Sequence, residues 1–256
     1  VKIATWNVNS VKARLPNVLA WLKDATPDVV LLQETKTLDD AFPRVEFEDI
    51  GYNLALHGQK TYNGVAILSK HPIDDVSRGL PGDPEDQEAR YVEAFTGGMR
   101  VASVYVPNGQ EIGSDKFAYK LKFLGRLARH TEALLRQEEP MVIGGDYNVA
   151  PFDIDVYDPA AWEGQVLCHP DERAALRRLL HLGLTDAYRA KHPTAHRWSW
   201  WDYRAGAWPK DHGLRIDHLL LSPQAADRLK GADIDRAPRG AEKASDHTPV
   251  WCEIAL

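Results

Sequence analysis

Met141-Val142-Ile143-Gly144-Gly145-Asp146-Tyr147-Asn148 is the stretch on which the fold turns. Met141, Val142 and Ile143 form an apolar run that reads as a buried strand. The glycines that follow read as a point where the backbone bends sharply. The strand delivers Asp146 and Asn148 to its carboxyl end, two residues apart and on one side if the extended geometry persists. Open α/β folds bind ligands at such strand ends. A carboxylate beside a carboxamide offers a proton acceptor next to a donor for developing negative charge. In isolation the pair reads as an ordinary loop; its weight comes from similar strand ends elsewhere.

Working outward, residues 2–9 alternate like a strand ending in Asn7 and Asn9. Leu15, Val18, Leu19 and Leu22 then mark an amphipathic helix. Residues 29–32 form a buried strand with Glu34 just beyond it. Strands over 52–57, 64–69, 91–95 and 100–106 follow without intervening helices, predicting an antiparallel section. Asn108 lies in the loop after Tyr105. Ser114 caps a helix running to about residue 138. Residues 151–169 read as irregular, and 170–180 as a helix ended near Gly183. Residues 214–221 alternate as a strand containing Asp217, and Ser245-Asp246-His247 precedes a last strand over 248–254. No linker or repeat interrupts the chain, so one domain over 1–256 is expected.

Hydrophobic residues make up 44% and charged residues 27% of the 256 positions, as in ordinary globular proteins. No apolar run approaches the ~20 residues that span a bilayer. Neither a signal peptide nor a disulfide framework is visible, which favours a reducing, cytoplasmic setting and no membrane partner. A net charge of −6 argues against a general polyanion binder, so any nucleic-acid site is a local patch. The lysines and arginines of 114–130 read as a solvated helix face.

Asn7, Glu34, Tyr105 with Asn108, Asp146 with Asn148, and Asp246 with His247 all stand at or near strand ends, and Asp217 sits inside a further strand. Carboxylates gathered in one cleft resist ionisation unless a cation answers them. Oxygen donors favour Mg²⁺ or Mn²⁺ over zinc. A hard divalent ion with a His–Asp pair points to phosphate ester chemistry.

Seven blocks carry a resemblance to a known family. They are Thr5-Trp6-Asn7-Val8-Asn9-Ser10, Leu32-Gln33-Glu34-Thr35-Lys36, Val106-Pro107-Asn108-Gly109, Gly144-Gly145-Asp146-Tyr147-Asn148-Val149-Ala150-Pro151, Trp200-Trp201-Asp202-Tyr203-Arg204, Leu214-Arg215-Ile216-Asp217 and Ser245-Asp246-His247-Thr248-Pro249-Val250. In this order they resemble the exonuclease III family of apurinic/apyrimidinic endonucleases. The Trp200–Arg204 block separates that family from related phosphatases and deoxyribonuclease I.

The resemblance implies an α/β fold: a four-layer sandwich of two mixed β-sheets packed face to face, with helices outside. It implies Mg²⁺-dependent cleavage of double-stranded DNA 5′ to abasic sites, 3′→5′ exonuclease action and removal of blocked 3′ ends, by a monomer. On matching positions, Glu34 is the principal metal ligand, helped by Asn7 and Asp246, with Asp146, Asn148 and His247 completing the metal site. Asp146 activates the attacking water, Asn148 bonds the phosphoryl group, and His247, oriented by Asp217, contacts the scissile phosphate. Tyr105 binds phosphate or attacks it; a phenol with a reference pKa of about 10 needs strong activation, which favours the water. Trp200 lines the pocket for an extrahelical abasic sugar, and Arg204, Asn108 and Leu214 contact DNA. The alternative is a phosphodiesterase or phosphatase of the same fold acting on a non-DNA substrate.

Overall fold

A strand covered on both faces sends alternate side chains into different layers. In the computed structural model, which describes residues 1–256, that alternation builds the sandwich. The strands are β1 (Lys2–Asn7), β2 (Val29–Gln33), β3 (Asn53–His57), β4 (Val65–Ser69), β5 (Ile73–Arg78), β6 (Tyr91–Thr96), β7 (Met99–Tyr105), β8 (Met141–Asp146), β9 (Thr185–Asp186), β10 (Asp217–Leu221), β11 (Leu229–Ile234) and β12 (Val250–Ile254). The helices are α1 (Leu15–Ala25), α2 (Arg44–Glu48), α3 (Asp115–Leu135), α4 (Pro159–Trp162), α5 (Pro170–Leu180), α6 (Ala187–Lys191) and α7 (Pro223–Ala226). One six-stranded sheet has the order β11-β12-β1-β2-β4-β3, the other β5-β6-β7-β8-β10-β9. Each has one parallel pair, β1 with β2 and β7 with β8, bridged by α1 and α3. Both sheets are therefore mixed, as expected.

Ile3, Val29, Leu31, Val101, Val142, Leu219 and Leu221 fill the space between the sheets. Ala4, Trp6, Val30 and Leu32 face outward with Val18, Trp21 and Leu22 of α1. Ala102, Val104, Ile143 and Leu220 pack beneath Phe123, Leu124 and Leu127 of α3 and Leu176 and Leu179 of α5. The layers are thus helix, sheet, sheet, helix. Counting by twos from the inner residues reaches Asn7 on β1, Tyr105 on β7, Asp146 on β8 and Asp217 on β10. The polar strand ends thereby share one inter-sheet mouth.

The structure departs from the sequence reading in several places. Gly144 and Gly145 do not turn the chain, because both lie within β8. Their lack of a side chain permits close packing instead. A Cβ on Gly144 would stand 2.7 Å from Leu31 of the opposite sheet, and one on Gly145 would collide with the Val104 carbonyl oxygen. Residues 151–169 are not wholly irregular, for a 3₁₀ turn covers Asp153–Asp155 and α4 follows. Three edge strands, β5, β9 and β11, lie outside the expected strands. The basic run on α3 is a solvated face only at Lys116, Lys122 and Arg129, whereas Lys120 and Arg126 are buried. No helix is long and apolar enough to cross a membrane.

Candidate active site

β7, β8 and β10 set Tyr105, Asp146 and Asp217 side by side, because Asp146 is in register with both of the others. β1 brings Asn7 from the facing sheet, and Glu34 follows the last residue of β2 in a left-handed conformation, φ +52°. Asn7 Nδ2 donates to Glu34 Oε2 at 2.6 Å and to Asp146 Oδ2 at 2.9 Å. Asn7 Oδ1 accepts from the Asn9 backbone N–H. Asn7 therefore ties the two carboxylates together across the sheets. Glu34 also lies 3.6 Å from the Lys36 ammonium.

His247 enters from the loop before β12. Its Nδ1 donates to Asp217 Oδ2 at 2.9 Å, and its Nε2 stands 3.6 Å from Asp146 Oδ2. Ser245 Oγ donates to the Asn7 carbonyl and accepts the His247 N–H, anchoring that loop to β1. Ser199 was missed in the sequence reading. Its hydroxyl donates to Asp217 Oδ2 at 2.6 Å and accepts the N–H groups of Ile216 and Asp217. The only local signal is a small polar residue between Trp198 and Trp200, which does not distinguish it from any buried serine.

Electrostatics follow from burial and charge. Burial raises the Asp146 carboxyl to about 7, with Asp217 and Glu34 adding to the rise and His247 and Asn7 opposing it. Burial alone would lower His247, but the Asp217 and Asp146 carboxylates raise it well above the usual imidazole value, so it is cationic at neutral pH. Burial, then Glu34 and Asp146, hold the Tyr105 phenol protonated well above its ordinary range.

Atoms of Glu34, Asp146 and His247 all lie within 4.8 Å of one another; the protonated His247 has no lone pair to give a metal, which leaves the two carboxylates of this trio as its donors. Asp246 stands outside that trio; its Oδ2 accepts from Trp200 Nε1, while its Oδ1 is buried with no protein partner. A buried carboxylate oxygen left unpaired costs free energy that a cation or water offsets. The donor set, mostly carboxylate oxygens, suits a hard divalent cation.

Asn148 follows β8 at φ +49°. Its backbone N–H donates to Asp146 Oδ1 and its Nδ2 to the Val106 carbonyl. Asn108 is exposed and its amide is 3.4 Å from Asn148 Oδ1. Beside them opens a cavity of about 630 Å³ lined by Asn108, Trp162, Leu167, Trp200 and Arg204. The Trp162 and Trp200 rings meet edge to face, centroids 6.3 Å apart. Arg204 is exposed and paired with Asp202 through two guanidinium contacts. Leu214, expected at the DNA surface, is instead fully buried beneath Trp200, bridged to Trp200 and Val156 and packed with Ile216. It supports the cavity wall from behind. Trp198 and Trp201 are core residues.

Residues 4–247 match the model of the Endonuclease/Exonuclease/phosphatase family. Exodeoxyribonuclease III of Haemophilus influenzae is 37% identical over 266 aligned residues, which cover 99% of this chain and 100% of that protein. The solved 3′ phosphatase NExo from Neisseria, bound to a product DNA hairpin, superposes with a TM-score of 0.97 at 42% identity, covering 100% of this chain and 99% of that one. An AP endonuclease from Archaeoglobus fulgidus gives a TM-score of 0.96 at 40% identity, with 100% of both chains covered. The strand-end carboxylates, the His–Asp pair and the tryptophan-walled cavity accompany full-length similarity in sequence and in fold, and the chain belongs to the exonuclease III family of AP endonucleases, within the endonuclease/exonuclease/phosphatase superfamily.

Proposed function

We propose that this chain is a Mg²⁺-dependent DNA repair hydrolase. It incises duplex DNA 5′ to abasic sites, degrades strands 3′→5′ and removes phosphate-containing blocks from 3′ ends. The observation that carries this reading is the convergence of Glu34, Asp146 and His247 within 4.8 Å beside a cavity walled by Trp162 and Trp200.

One hydrolytic centre serves all three substrates if the bond broken is always P–O3′. Water attacks phosphorus, a new O–P bond forms as P–O3′ breaks, and the 3′-oxygen leaves and takes a proton from solvent to become a 3′-hydroxyl. Asp146 takes the proton of the attacking water, a role that suits a buried carboxylate whose pKa lies near neutrality. His247, cationic and fixed by Asp217, donates from Nε2 to a non-bridging phosphoryl oxygen as charge accumulates there. Asn148 and the protonated Tyr105 add neutral donors; the phenol is too weakly acidic in this setting to be the nucleophile. A divalent cation bound at Glu34 would supply Lewis-acid neutralisation of the phosphoryl and leaving oxygens. Oxygen donors make Mg²⁺ the preferred ion, with Mn²⁺ able to replace it.

The cavity admits a deoxyribose without its base. A normal nucleotide is larger and costs more to unstack and extrude. In this reading Trp200 walls the sugar site, while Asp202 holds Arg204 through Nε and Nη2 and leaves Nη1 free to contact DNA. Both cysteines are free and buried, in keeping with a reducing, cytoplasmic setting.

The test is a panel of duplexes: abasic, 3′-phosphate, recessed 3′ end and undamaged, each with Mg²⁺ and with excess EDTA. Cleavage is expected at the abasic site and at 3′ ends, with internal undamaged positions spared, and EDTA should abolish it. Turnover that persists in EDTA, or is confined to non-nucleic-acid phosphate esters, would overturn the assignment.

A further inference from the structure

Lys120 is a fully buried ammonium group in the second turn of α3, outside every site block. Its Nζ donates to the carbonyls of Asn108 at 3.0 Å and Asn148 at 2.6 Å, and to Glu172 Oε1 at 2.6 Å. Glu172, buried in the first turn of α5, accepts the Leu167 N–H on the same Oε1 at 2.9 Å. Its other oxygen has no partner. All bonding of the pair thus runs through one ammonium and one oxygen, at the junction of three loops. These are the loop after β7 with Asn108, the loop after β8 with Asn148, and the segment entering α5 with Leu167.

Two of the tethered residues lie in the left-handed region, which asparagine tolerates and leucine strongly disfavours. Asn148 lies at φ +49° and Leu167 at φ +83°. Such backbone persists only where its surroundings over-determine it. Here the Asn148 carbonyl and the Leu167 N–H are the very groups that Lys120 and Glu172 engage. The lysine stem also underlies Gly109, where its Cδ would be 3.0 Å from an added Cβ.

We propose that Lys120 and Glu172 are a positioning pair that locks Asn148, Asn108 and the Leu167 wall of the cavity into the arrangement the scissile phosphate requires. Neither residue touches the substrate. The pair acts through Asn148, whose amide bonds the phosphoryl group in the proposed mechanism, and so the inference rests on that reading of the Asp146 centre. A buried ion pair is a poor source of stability, and neutral replacements of similar volume are often tolerated or stabilising. Its value here is geometric.

The experiment uses the full-length Mg²⁺-loaded protein carrying Lys120→Met together with Glu172→Gln, assayed on a 3′-phosphate duplex. Because a displacement of about 1 Å can cost about 100-fold in rate, kcat is expected to fall about 100-fold. KM should stay within about threefold, since the lost contact matures in the transition state, and the melting temperature should not drop. A kcat within about threefold of the parent overturns the proposal. So does a loss of activity seen only at temperatures where the variant begins to melt, which is what a purely structural role predicts. If the double variant does not fold, Lys120→Arg keeps a cation opposite Glu172 but cannot bring three acceptors to one point; the same fall in kcat is expected, and parent-like kcat overturns the proposal. Asp146→Asn is run in parallel. Its retained turnover would refute the reading of the centre, whereas its silence beside an active double variant would refute the positioning pair alone.

Discussion

Asp146→Asn is expected to lower kcat on abasic and 3′-phosphate duplexes by about 10⁴-fold while raising the melting temperature of the metal-free protein. The two effects share one cause. Asp146 is buried near the Asp217 and Glu34 carboxylates, and its pKa is raised to about 7 from an ordinary 3.8. Since the folded value lies above the unfolded one, ionising this group at neutral pH works against the fold. A neutral amide removes that penalty and removes the proton acceptor with it. Affinity for duplex DNA should stay within about tenfold, because phosphate contacts spread along the duplex carry most of it. Rates in single turnover, melting curves and a binding isotherm together check the prediction. A variant that loses activity and stability together would mean that Asp146 is structural.

The same shift fixes the sign of the pH dependence. The base form of Asp146 is needed, so kcat/KM should climb as pH rises toward about 7. Raising the Mg²⁺ concentration favours the ionised carboxylate and should move that limb to lower pH. A limb that moved upward with added Mg²⁺ would contradict a cation beside Asp146.

His247→Gln is expected to cost about 10³-fold in kcat with little change in KM, as removal of a donor aimed at developing negative charge does. Glutamine can still bond Asp217 but carries no charge. The imidazolium is held by Asp217 at 2.9 Å, which Ser199 in turn fixes at 2.6 Å. The cation is therefore pre-oriented before substrate arrives. Steady-state kinetics on the 3′-phosphate duplex reads the effect. If KM rose and kcat did not fall, His247 would be a ground-state phosphate binder only.

The central strands were legible because they are covered on both sides, while their assembly into a sandwich came from the family resemblance. Their alternation is simple enough that counting by twos from Ile3, Val101, Val142 and Leu219 reaches Asn7, Tyr105, Asp146 and Asp217. The edge strands β5 and β11 obey no such rule. In β5, Asp74, Asp75, Ser77 and Arg78 face water, so Ile73–Arg78 reads as an acidic loop. β11 has the same character, with Lys230 and Gly231 inside it. Gly144 and Gly145 show the limit of local reading: a glycine that turns and a glycine that admits a neighbour look alike until the neighbour, Leu31 or the Val104 carbonyl, is known. Lys120 failed for a related reason. Its position among Lys116 and Lys122 suggests a wet basic face, yet its partner Glu172 is 52 residues away in sequence and buried with it. Leu214 sits beside functional residues in its block and is buried beneath them. Ser199 and Ser245 orient the groups that the sequence did expose, and hydroxyls in that supporting role carry no pattern.

Whether a cation held at Glu34 drives cleavage is decided by parallel Mn²⁺ titrations of the metal-free protein and of Glu34→Gln. Binding is followed by water-proton relaxation and cleavage of an abasic duplex by gel. One midpoint for binding and activity is expected in the parent, with both displaced at least about tenfold upward in the variant. A parent that cleaves at Mn²⁺ levels where none is bound, or a variant whose two midpoints match the parent's, would contradict it.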